Sequence, residues 1–85
     1  MTLYRPKHVV VEARLLTRDN FYAVGDWAGA DECWELEAPL PELRFDAPEG
    51  FRRAHLGDYV IRDAMGGCYP CPAGFFAAMY EEYHG

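Results

Sequence analysis

Cys68-Tyr69-Pro70-Cys71 is the one spacing in the chain that matches a chemical motif. Two thiols separated by two residues can cycle between dithiol and disulfide. A helix starting directly after them would favour the thiolate and lower the pKa. A redox motif of that kind belongs in a βαβ unit with a parallel sheet. Here it follows a glycine turn and a short return strand, and Pro70 stiffens the pair. With Cys33 the cysteines number three. In a reducing compartment the expectation is structural thiols rather than a redox pair.

Other constellations are thinner. A zinc site would have to join Cys68 and Cys71 to Cys33 and a histidine, His55 or His84. Structural zinc sites show a second paired spacing, and this chain has none. Hydrolysis would need Asp46, Asp58, Asp63 and His55 to converge. The chain contains no serine, and its hydroxyls of that type are Thr2 and Thr17. There is no nucleophile elbow and no phosphate-cradling glycine loop. Asp58 reads as a turn cap beside Gly57. No catalytic residue, cofactor or metal is expected.

The elements that would position these residues follow from periodicity. Tyr4 to Leu16 alternates, with Val9, Val11, Ala13 and Leu15 on one face and His8, Val10, Glu12 and Arg14 on the other. Phe21, Val24 and Trp27 recur at helical spacing, which predicts a short helix from about Asp19 to Ala28 ended by Gly29. Cys33 to Ala38 alternates again until Pro39. Leu43 to Phe45 is a weaker strand candidate, and Ala47-Pro48-Glu49-Gly50 a turn before another strand at Phe51 to Ala54. Tyr59 to Asp63 and Cys68 to Pro70 form a hairpin reversing at Gly66-Gly67, with Pro70 at an edge or strand end. Pro72 opens a closing helix to Tyr83, with Phe75, Phe76, Met79, Tyr80 and Tyr83 as its apolar stripe.

The expectation is a single α+β domain over residues 1–85. It is a mainly antiparallel sheet with a short N-terminal helix and a C-terminal helix packed on one face, in the order β-α-β-β-β-β-α. The expected core is Val9, Val11, Leu15, Phe21, Val24, Leu36, Ile61, Phe76, Met79 and Tyr80. Removing the Phe76 ring is expected to cost roughly 3–5 kcal/mol.

Charge narrows the function classes. Fourteen acids against eight bases give a net charge of −6, and Lys7 is the single lysine. Nucleic-acid binding depends on basic groups displacing counterions, so it is not expected. No run approaches the length of a membrane helix. Met1 to Pro6 lacks the apolar core of a signal peptide, so the expected location is the cytoplasm.

Both ends of the chain carry recognisable motifs. Tyr4, Arg5, Lys7, Val9, Val10, Val11, Glu12 and Ala13 open it. Gly57, Asp58, Tyr59, Val60, Ile61, Arg62, Gly66, Tyr69, Pro70 and Cys71 form the closing hairpin, with Phe76, Tyr80 and Glu81 after it. In these residues the chain resembles a family of small uncharacterised proteins of tailed bacteriophages and prophages. The likeness covers the two ends and not the middle. His8 stands where the family has proline, and Asp63, Met65, Gly67 and Cys68 also depart from its hairpin pattern. The Cys-x-x-Cys is thus a feature of this chain rather than of the family. The family has no assigned activity and lends no functional residues.

The resemblance implies a non-enzymatic phage accessory protein in the host cell cytoplasm, acting by binding a host or phage protein. Self-association is left open. Trp27 and Trp34, flanking the acidic Asp31 and Glu32 and followed by Glu35, are the expected interface residues, because aromatic residues favour interfaces and acids steer a basic partner. The alternative is a small-ligand protein sequestering a nucleotide-derived signal, with Arg14, Arg52, Arg53 and Arg62 on its phosphates. A redox or zinc module using Cys68 and Cys71 is the third reading.

Overall fold

The computed structural model describes residues 1–4, 10–33, 41–48 and 50–84. The chain folds as an α+β protein with antiparallel pairing throughout. β1 (Glu12–Leu15), β5 (Tyr59–Arg62) and β6 (Cys68–Cys71) form one three-stranded sheet in the order β1-β5-β6. β2 (Asp31–Cys33), β3 (Glu42–Ala47) and β4 (Gly50–His55) form a second, in the order β2-β3-β4. α1 (Phe21–Ala28) lies between β1 and β2 in the chain, and α2 (Ala73–Met79) follows β6. The single expected sheet is thus two sheets, and one more strand lies between the helices than the expected order allows.

Sequence explains the punctuation. Before α1, Thr17 and Asn20 bond reciprocally: the Thr17 amide donates to Asn20 Oδ1 at 2.8 Å, and the Asn20 amide to Thr17 Oγ1 at 3.3 Å. After α1, Gly29 takes a left-handed conformation, and Ala30 N–H donates to the Gly25 carbonyl. That pairing is a Schellman closure. Gly25 is buried, and a Cβ there would stand 3.2 Å from Leu43 Cδ2, so the helix approaches β3 closely because this residue has no side chain. The β5–β6 reversal differs from a simple Gly-Gly turn. Gly66 alone of the pair has positive φ, and Asp63 Oδ1 accepts the amides of Met65 and Gly67 at 3.0 and 2.9 Å.

Strand register assigns faces. Glu12, Arg14, Val60, Arg62, Cys68 and Pro70 share one face of the first sheet; Ala13, Leu15, Tyr59, Ile61, Tyr69 and Cys71 share the other. On the first face Val60 joins Leu16, Phe21, Val24, Leu43, Phe45 and Ala54 in the core. On the second, Tyr59 stacks on Phe76 of α2. The helices therefore cover opposite faces, not one.

The expected core is partly right. Phe21, Val24 and Ile61 are buried. Val11, Phe76 and Tyr80 are half-buried, and Leu15 and Met79 are exposed. Val9 and Leu36 lie outside the described residues. Leu15 stands on the outer strand of its sheet and is exposed, while Ile61, on the central strand of the same face, is buried. Leu16, one residue later, turns into the deep core at 0% exposure. α2 is also shorter than expected. Tyr80 is extended (φ −129°, ψ 152°), and Glu81 and Glu82 beyond it would oppose the negative end of a longer helix.

Candidate functional site

The residues singled out by sequence fall into separate places. Cys68 and Cys71 are three apart on one strand and so face opposite sides of the sheet. Cys71 is buried, and burial together with the nearby Asp58 carboxylate pushes its thiol pKa up rather than down. That is the reverse of an activated thiol. Cys33 lies on β2, in the other sheet. Among the described residues no group of His, Cys, Asp and Glu side chains is placed to hold a metal ion.

The acids named for hydrolysis serve the fold. Asp58 Oδ2 accepts the His55 amide at 3.0 Å and closes the turn between β4 and β5, as its position beside Gly57 suggested. Asp63 closes the β5–β6 turn, and Asp46 is exposed on β3. His55 Nε2 lies 3.6 Å from Glu42 Oε2, which Arg53 Nε also approaches at 3.5 Å. Glu42 is the one buried charged side chain among the described residues, and no sequence pattern marked it.

The four arginines do not converge. Arg14 and Arg62 both lie over the Trp27 ring, with Cζ 4.1 and 4.3 Å from its centroid, and Arg62 Nη2 donates to the Trp27 carbonyl. Arg53 turns to Glu42, on the face of the second sheet opposite the core. Arg52 stands across from Phe45, on the other side of the same strand. A phosphate would meet no common cradle. The same contacts engage Trp27, which is half-buried against the core, so it offers little free ring. Asp31 and Glu32 are exposed on β2, while Trp34 and Glu35 lie outside the described residues.

A different surface is assembled on the α2 side. The α2 sequence Ala-Gly-Phe-Phe-Ala-Ala-Met carries no charge and buries no residue completely. Its inner side is an aromatic stack. Tyr59 and Phe76 lie 3.9 Å apart between centroids at 12°, and Phe76 and Tyr80 5.0 Å apart at 16°. Tyr69 completes it by a side-chain hydrogen bond to Tyr80. That bond, with burial and the neighbouring Tyr80, Asp63 and Cys71, pushes the Tyr69 pKa from 10.0 up to about 12. The outer side leaves Phe75 and Met79 exposed at 58% and 64%.

Beside this stack runs a groove of about 390 Å³. Val10, Val11 and Ala13 line it from the β1 side, Tyr59, Phe76 and Tyr80 form its aromatic wall, and Glu81, Glu82 and Tyr83 complete it. It brings aliphatic and aromatic side chains together with two carboxylates. The signal for this surface was present in the sequence as the uncharged run from Ala73 to Met79. A helix with no charged residue has no face designed for water.

No family model, curated protein or solved structure matches the chain.

Proposed function

We propose that the protein is a non-enzymatic binding protein whose partner is another protein, engaged through the α2 face and its groove. The carrying observation is the exposure of Phe75 and Met79 on the helix whose Phe76, with Tyr80 and the exposed Tyr83, lines an aromatic groove. Contiguous apolar surface rimmed by polar groups marks interaction sites. Aromatic residues and methionine are the types enriched there. The net charge of −6 and the Glu81-Glu82 rim favour a partner with a basic patch.

The resemblance of both chain ends to tailed-phage proteins supports a host or phage protein as that partner, met in the host cytoplasm. The exposed Asp31 and Glu32 belong to a separate, charged edge that adds to steering.

The test is capture from host lysate with four baits. These are the parent protein, Met79→Asp, Phe75→Asp, and the double variant Asp31→Lys/Glu32→Lys. A partner held through α2 is lost with the first two single variants and retained by the double variant at low salt. A partner lost only with the double variant would move the interface to β2.

A further inference from the structure

We infer that the groove takes an extended, basic segment of a partner chain, added as a strand to the free edge of β1; this rests on the binding role proposed above. Among the described residues β1 pairs, in the first sheet, with β5 alone. The direction of its free backbone groups follows from the bonds at its end. Leu16 N–H donates to the Asp58 carbonyl, and the Leu16 carbonyl accepts from Gly57 N–H, both at 2.8 Å. Leu16 therefore points toward β5, and by alternation so do Arg14 and Glu12. Leu15 and Ala13 point outward. The Leu15 carbonyl is taken by Asn20 Nδ2 at 2.8 Å, which closes that end of the edge. At Ala13 the N–H and C=O stand ready for a new strand.

Ala13 also lines the groove through its side chain. A strand added beside it continues the same pleat. Every second side chain of that strand lands on the face that holds Tyr59, Phe76 and Tyr80. This is strand addition, in which backbone bonds give affinity and alternate side-chain pockets give specificity.

Charge decides the chemistry of the occupant. Among the described residues the groove lining includes Glu81 and Glu82 and no cationic side chain. His84, outside the lining, approaches Glu82 at 3.4 Å. Phosphate-bearing ligands and anionic lipid surfaces are repelled by that rim. A second copy brings another −6 of charge against the first. The fitting segment has an apolar residue in the groove and lysine or arginine two residues away on the same face.

The probe is a dye-labelled peptide, Thr-Lys-Thr-Val-Thr-Lys-Thr, titrated with the whole protein by fluorescence anisotropy. One comparison peptide carries glutamate for both lysines. Another is N-methylated at two successive central residues, which removes a pairing N–H in either register. Each change is expected to weaken binding by about tenfold or more, a difference of about 1.4 kcal/mol. Glu81→Lys/Glu82→Lys, a change at exposed positions, should weaken the parent peptide similarly at unchanged melting temperature. Hydrogen exchange at Ala13 should slow when the peptide binds. If the N-methylated peptide binds as well as its parent and Ala13 is not protected, strand addition is wrong while the binding surface stands. Equal binding of the glutamate peptide overturns the charge assignment. Absence of binding by all three peptides overturns the inference, and the Met79→Asp capture then decides the binding role separately.

Discussion

Two aromatic residues that look alike in the sequence carry different weights. Phe21 is 1% exposed in the core, whereas Phe76 is half-buried between two tyrosine rings. Phe21→Ala should cost about 3–5 kcal/mol, as a buried aromatic void does. Phe76→Ala should cost about 1–2 kcal/mol, from partial burial and lost stacking. Denaturant unfolding of both variants checks the ranking, and a Phe76 loss equal to that of Phe21 would contradict it. Tyr69 gives a pH signature. Its folded pKa, near 12, lies above the ordinary 10.0, so folding favours the neutral phenol. Its contribution is complete below the unfolded value and is lost as pH rises through the folded one. The melting temperature of the parent should fall more steeply over that window than that of Tyr69→Phe. Parallel curves would show that the Tyr69–Tyr80 bond contributes nothing.

At the scale of elements, the sequence was most legible where local period and turn chemistry agree. α1 was readable from Phe21, Val24 and Gly29, and β5 and β6 from the alternation around the glycine turn. Leu15 and Leu16 show where that logic stops. Periodicity cannot say which face of a strand receives the deep core, nor that the chain turns inward one residue past the strand. The expected α2 stripe is divided in the structure: Phe76 stacks between Tyr59 and Tyr80, Phe75, Met79 and Tyr83 are exposed, and the helix ends at Met79 rather than Tyr83. The clamp of Arg14 and Arg62 on Trp27 depends on cross-strand register, which one sequence does not reveal. The candidate groove was likewise hidden, since it joins β1 to residues some seventy positions later. Strand geometry also yields a prediction for Cys68 and Cys71. Three residues of strand separate their Cα atoms by about 10 Å, beyond the ~7 Å limit for a disulfide. Mild oxidation should leave no Cys68–Cys71 disulfide within the folded monomer. A mass lower by two hydrogens in the unreduced monomer, mapped to Cys68–Cys71, would contradict the strand placement.

For the whole molecule, acidity and apolar exposure work together. The charge of −6 extends the reach of encounter, and the α2 face supplies the contact. Association with a basic partner should slow as salt rises, because the field is screened to ~8 Å at physiological ionic strength. Glu81→Lys/Glu82→Lys should lower the on-rate more than Asp31→Lys/Glu32→Lys, since its charges border the contact. An on-rate indifferent to salt and to both variants would remove electrostatic steering from the account.

The most direct test is a hydrogen-exchange footprint of the protein bound to the partner it captures from host lysate. Protection should concentrate at Ala13, along Ala73–Met79 and through Tyr80 to Tyr83. Protection confined to β2, β3 and β4, with α2 exchanging as in the free protein, would contradict the proposed interface.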